Sequence, residues 1–271
     1  MSKPTKIVVV HGTQFHCDEL TAVALLHVFK PEFEYVISRI PHQAPIPELA
    51  DYVIDVGREF DGVTKFDHHQ WEHGKSSAGL LWDHVKPAGS TYNQLDKFIE
   101  LIDQHDVGLR PATAFEYPRI IAHFNTADIY DTAAQMDAFK KALQVAITVI
   151  EGIKSGDESA VEVERYLNTR LANLSTWERE QHVLISNRWL RGWNSTLNGE
   201  LTPEIHYIIW PKEQDNPTGE WQIQVLTQHS STYALHGPRL EPSDKMTFVH
   251  SNGFFGVAPT KFELLAYIEN M

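Results

Sequence analysis

Cysteine is almost missing from this 271-residue sequence: Cys17 stands alone, so no disulfide can close within the chain. A reducing, cytoplasmic compartment is the expected home. Long hydrophobic runs are also missing. Ile7 to Val10 is the size of a buried strand, far short of the roughly 20 apolar residues that cross a bilayer, and no membrane contact is predicted. Two early lysines have too few apolar residues behind them to form a signal peptide. Positive charge is scarce, with 23 Lys and Arg against 36 Asp and Glu for a net charge of -13. Long duplex nucleic acid is normally held through its phosphates by a basic face, and no such face is advertised. The 42% of hydrophobic residues excludes a disordered chain and is enough for a sizeable core.

Histidine is what the sequence has in excess: 15 in all, ten of them within the first 123 positions. Clustered imidazoles in an acidic, cysteine-poor chain point to hard or borderline metals held by nitrogen and carboxylate oxygen.

Short apolar runs alternate with helical patterns over residues 6–130, the βαβ texture of a mostly parallel sheet flanked by helices. Strands are predicted at Lys6–Val10, Tyr35–Ile40, Asp51–Val56 and Thr64–Phe66, and helices at Asp18–Phe29, Ser77–Val85 and Tyr92–Gln104. Residues 131–191 read as a helical connector, broken at Ser155-Gly156-Asp157, where Asp157 would cap the second piece. From 192 to 271 the pattern is that of a small α+β domain. Its strands are expected at Ile205–Trp210, Trp221–Thr227 and Met246–His250, with a last helix at Lys261–Glu269. The expected fold is therefore α/β, organised as 1–130, 131–191 and 192–271.

In open α/β sheets the ligand lies beyond the carboxyl ends of the strands. Three predicted strand ends carry metal-ligand chemistry: His11 through Glu19, Asp55-Val56-Gly57, and Asp67-His68-His69. Taken singly, Asp18 reads as a helix cap, Asp55 as a turn residue, and the histidine pair as surface. Their joint arrival at three strand ends points to one site, able to hold two divalent ions that activate water and stabilise phosphoryl charge.

These residues resemble the DHH phosphoesterase superfamily and, more closely, the family of the melanocyte proliferating gene 1 exonuclease. The resemblance is carried by His11 through Glu19, Asp55-Val56-Gly57, Phe66-Asp67-His68-His69-Gln70 and Ser76-Ser77-Ala78-Gly79. It continues through Ile102-Asp103-Gln104-His105-Asp106 and Phe248 through Gly256. It implies that His11, His16 and Asp18 are metal ligands, with His16 standing where most of the superfamily has aspartate. It further implies that Asp55 bridges the ions and His68 ligates the second. Asp67 would orient the neighbouring histidines, and His69 would face the substrate as acid or charge. Asp103 matches the late aspartate that completes the site, with Asp106 as the alternative on the same helix face.

His250, Gly253, Gly256 and Arg239 would bind substrate in the small domain, through close backbone approach and a cationic fork. The function implied is a two-metal phosphodiesterase, with Mn²⁺ or Mg²⁺, acting on nucleotides or short single-stranded oligonucleotides. A phosphomonoesterase or pyrophosphatase on the same scaffold is the alternative within enzymes. A silent metal- or nucleotide-binding module is the alternative outside them.

Overall fold

Val8, Val9 and Val10 are wholly buried, as in a parallel strand covered on both faces. In the computed structural model, which describes residues 3–71, 74–216 and 218–271, they lie in β1 (Thr5–His11). Three strands join it in parallel: β2 (Glu34–Ile40), β3 (Tyr52–Ile54) and β4 (Lys65–Phe66). The sheet order is β2-β1-β3-β4. Register sets three strand ends level. Val10 pairs with Ile54, and Ile54 with Phe66. The next residues on the three strands, His11, Asp55 and Asp67, therefore stand in a row at the carboxyl edge, one strand spacing of about 4.8 Å apart.

The helices of this half are α1 (Cys17–Phe29), α2 (Ser77–Val85), α3 (Asn93–Asp106), α4 (Tyr117–Ala122) and α5 (Thr132–Ala172). Val8 and Val10 pack into the main core with Leu20, Leu25, Leu81, Ile102 and Phe139. Val9, on the opposite face, joins Val53, Val56 and the partly buried Ile46, as period-2 alternation requires. The first ten residues of α1, Cys17 to Leu26, are all buried, and they include the two acids Asp18 and Glu19.

Chain contacts divide the protein into two compact units, Met1–Asp157 and Glu158–Met271. The second unit holds the end of α5, α6 (Thr176–Glu180), β5 (Val183–Ile185), a 3-10 turn at Trp193–Ser195, β6 (Tyr207–Pro211) and β7 (Trp221–Val225). It ends with β8 (Phe248–Val249), β9 (Phe255–Ala258) and α7 (Lys261–Ile268). Its sheet runs β5-β6-β7-β9-β8, with β5 parallel to β6 and the remaining pairs antiparallel.

Three expectations are corrected. The helix does not break at Ser155-Gly156-Asp157; α5 runs through it, and Asp157 instead accepts the backbone N–H groups of Gln94 and Leu95, each at 3.0 Å. Its carboxylate caps the start of α3, a use that spacing along its own helix cannot reveal. Residues 131–191 are not wholly helical either, because Val183-Leu184-Ile185 forms β5; a short apolar run carries no period that separates strand from helix. The segment after His250 contains a strand, β9, that was not among the expected ones.

Candidate metal centre

The row of strand ends is joined by α1 and α3, and their side chains converge. Three groups of ligand atoms lie mutually within 4.8 Å: His11, His16, Glu19 and Asp55; Asp55, His68 and His69; and Asp18, His68 and Asp106. Asp55 belongs to the first two groups and His68 to the last two, so the groups form one continuous cluster.

His11 closes β1. Its Nδ1 lies 2.9 Å from the carbonyl of Gly12, which fixes the ring and turns Nε2 toward Glu19, in direct contact, and Asp55, 3.4 Å away. Burial opposes its ionisation, but the Glu19 and Asp55 carboxylates overcome burial and lift the imidazole to about 11. His16 precedes α1, its ring centroid 5.2 Å from that of His11. Surrounding protein and the His11 charge lower its pKa, although part of the ring meets solvent.

Asp55 sits in the left-handed region at φ 57° and is buried. It takes Ser77 Oγ–H at 3.1 Å and has His68 Nε2 at 3.3 Å. Burial would raise its carboxyl, but hydrogen bonds from His11 and His68 hold it far below the carboxylate range. His68 also lies 3.1 Å from Asp106. Burial would lower this imidazole, and the Asp55 and Asp106 carboxylates raise it instead.

Asp18 and Glu19 are fully buried, and both are pushed upward, first by burial. Neither oxygen of Asp18 has a hydrogen-bond partner among the described residues, nor does Glu19 Oε1. A buried carboxylate left without donors is costly. Asp106, the last residue of α3, is lifted to about 6 by burial, against the pull of His68. Orphaned buried oxygens facing imidazole nitrogens are the donor set that a divalent cation satisfies, so the residues fit a metal.

Asp67 is a hub. Its Oδ2 accepts Arg58 N–H at 2.7 Å, while Oδ1 accepts His69 N–H at 2.9 Å and lies 2.8 Å from His69 Nδ1. Burial opposes ionisation of Asp67, and these bonds prevail to lower it; the same pairing raises His69. A cavity of about 490 Å³ opens here, lined by Asp55, Arg58, Asp67, His69, His42 and Gln43 among others.

Of the sequence-derived ligands, His11, His16, Asp18, Asp55 and His68 meet. Asp103 does not. It turns to the start of α2, accepting Ser76 N–H at 3.0 Å and Ser76 Oγ–H at 2.6 Å, and Asp106, one turn on, takes the place in the cluster. This explains Ser76-Ser77-Ala78-Gly79. Ser76 serves Asp103 and Ser77 serves Asp55. Gly79 makes room, because a Cβ there would fall 2.5 Å from Asp103 Oδ1. Sequence reasoning missed Glu19, His42, which stacks on His11 at 4.6 Å, and Arg58. The adjacency of Glu19 to Asp18 at a buried helix start was the available signal for the first; the other two offered none.

The expected substrate residues divide. Arg239 lines a cavity of about 640 Å³ in the second unit, together with Gln224, Asn252 and Phe254. His250 lies against the Phe254 ring at 4.5 Å, its Nδ1 accepting Asn252 N–H at 3.1 Å. Gly253 does not offer a free amide: its N–H donates to His250 O at 2.7 Å and its carbonyl accepts from Leu240 N–H at 2.8 Å. Its φ of 65° and close approach to Leu240 explain the glycine. Gly256 is in no loop; it pairs inside β9 with Ile223 and Val249.

Residues 7–270 match the MYG1_exonuc model, described as an uncharacterised protein family (UPF0160). The MYG1 protein of Saccharomyces cerevisiae is 34% identical, with 96% of this chain and 94% of the relative covered. The MYG1 exonuclease of Homo sapiens is 24% identical over 91% of this chain and 80% of its own. Among solved structures, exonuclease RecJ bound to manganese is 14% identical, with 98% of this chain and 88% of that one covered. Its TM-score is 0.31, too low to bear on fold or chemistry. The chain belongs to the MYG1 exonuclease family.

Proposed function

We propose that this protein is a metal-dependent phosphoesterase that hydrolyses phosphodiester bonds in nucleotides or short oligonucleotides. The observation that carries the reading is Asp18, fully buried at the strand-end cluster with neither oxygen partnered among the described residues. The exonuclease name of the human relative agrees with it. His11, His16 and Asp55 would hold one divalent ion, and Asp18, His68 and Asp106 a second, with Asp55 shared; Mn²⁺ or Mg²⁺ suits such a set. When bound, the ions supply Lewis acidity and bring the pKa of a water toward neutrality.

The chain's own residues supply the rest. Asp67 holds His69 Nδ1 and raises the imidazole's proton affinity, which suits His69 to the role of an acid that gives a proton from Nε2 to a leaving oxygen. Ser77 keeps Asp55 oriented within the cluster. The net charge of -13 favours short substrates over long duplexes. The single, buried Cys17 thiol suits a cytoplasmic setting.

A screen with added Mn²⁺ or Mg²⁺ tests the reading on short RNA, short DNA, nucleoside bisphosphates, cyclic dinucleotides and pyrophosphate. Phosphodiester cleavage that disappears in Asp55→Ala is expected. Cleavage confined to pyrophosphate or to phosphomonoesters would move the activity to those classes, and a flat panel with metal bound would leave a binding module.

A further inference from the structure

Arg58 is an unexpected residue where it stands. Its φ is 55°, in the left-handed region that glycine adopts freely and other residues seldom do. Asp55 and Gly57 are also at positive φ, so the turn after β3 winds through an unusual path. Asp67 holds that path by accepting the Arg58 N–H at 2.7 Å. The same carboxylate holds His69 through its backbone N–H and Nδ1. One buried group thus fixes the backbone of Arg58 and the imidazole of His69, and both residues line the same 490 Å³ cavity.

The guanidinium is free to act. In a chain with 36 acids, the Arg58 side chain has no hydrogen-bond or ion-pair partner among the described residues. It is the one Lys or Arg among the described residues that line this cavity, whose lining also includes the acids Asp55 and Asp67. A backbone strained to keep a long cation at a glycine-like position is a pointer to use. The cavity volume lies within the range that takes a small-molecule ligand, leaving space for more than a single phosphoryl group.

Building on the phosphodiesterase reading, we propose that Arg58 is a specificity-determining residue that binds a second, non-scissile phosphate of the substrate. The preferred substrate is then a short oligonucleotide carrying a terminal phosphate, in preference to the same oligonucleotide ending in a hydroxyl. The planar fork of Arg58 engages two phosphate oxygens at once, a geometry that lysine lacks.

The test compares dinucleotides with a terminal phosphate and with a terminal hydroxyl, on wild type, Arg58→Gly and Arg58→Lys, with Mn²⁺ added. Glycine suits the φ of 55°, so the variant keeps the backbone path without strain. Wild type is expected to favour the phosphorylated dinucleotide in kcat/KM by about tenfold or more, the effect of one charge-assisted contact. The ratio should collapse toward one in Arg58→Gly, mainly through KM, and be partly kept in Arg58→Lys. A merely structural role would lower both substrates in parallel and leave the ratio unchanged; that result, or a wild type without preference, overturns the proposal. If neither dinucleotide is cleaved, the phosphodiesterase reading fails separately. Calorimetric affinities of the same pair for the Mn²⁺-supplemented proteins then decide on Arg58: a preference lost in Arg58→Gly supports it, and equal affinities in wild type refute it.

Discussion

Asp106→Asn separates the cost of the cluster from its use. Without metal, burial lifts the Asp106 carboxyl from 3.8 to about 6, against the pull of His68. The unfolded chain releases this proton near its ordinary value, the folded chain only near 6. Ionisation therefore removes stability from the metal-free fold as pH rises between those values, and the loss is complete above the upper one. At about 1.4 kcal/mol per decade of proton affinity, the charged carboxylate costs the fold at most about 3 kcal/mol at pH 7. Asparagine keeps the shape and stays neutral. Urea unfolding in EDTA should find the variant and wild type equally stable near pH 4, with the variant ahead by up to about 3 kcal/mol at pH 7. Adding Mn²⁺ should narrow or reverse the order. Wild type gains about 2.7 kcal/mol when free metal reaches a hundred times Kd, and the variant, short of one ligand, gains less. A variant that is less stable than wild type at pH 7 in EDTA, or that gains as much from Mn²⁺, would refute the assignment of Asp106 to the metal centre.

Two further substitutions test how the site is supported. Gly79→Ala places a methyl group 2.5 Å from Asp103 Oδ1; overpacking of this kind should cost about 1–3 kcal/mol in urea unfolding, and an unchanged midpoint would remove the close-packing argument. Asp61 accepts the N–H groups of Val63, Thr64 and Lys65, each at 2.8 Å, at the turn into β4. Burial opposes ionisation of Asp61, but these bonds hold its carboxyl well below the usual range. Its contribution is thus present above the unfolded pKa and lost as pH falls through the depressed folded one. Asp61→Ala should lower stability at pH 7 by about 1 kcal/mol, since the turn faces solvent, and the gap should close as pH drops below about 4. A gap that persists in acid would contradict it.

The parts of the site on strand ends were legible because an apolar run that stops abruptly at His11, Asp55 or Asp67 marks both the strand and the chemistry beyond it. Parallel pairing then aligns those ends without further information. Asp106 was harder to choose. Asp103 and Asp106 share a helix face, and only the position of the helix end relative to α2, set by tertiary packing, sends one to Ser76 and the other to His68. His42 lies in an irregular stretch between Pro41 and Pro47, where no periodicity exists to read. Gly256 gave no strand signal because glycine is rare within strands. Its place in β9, where Ile223 Cγ2 and Met246 Cε would crowd any added Cβ, depends on neighbours distant in sequence. Asp157 is the clearest limit: its partners Gln94 and Leu95 are more than sixty positions away.

The two-ion centre is tested most directly by anomalous diffraction at the manganese absorption edge, from crystals grown with Mn²⁺. Two peaks are expected, both in contact with Asp55, one shared with His11 and His16 and the other with Asp18, His68 and Asp106. No peak at the cluster, a single peak, or a peak ligated by Asp103 in place of Asp106 would contradict it.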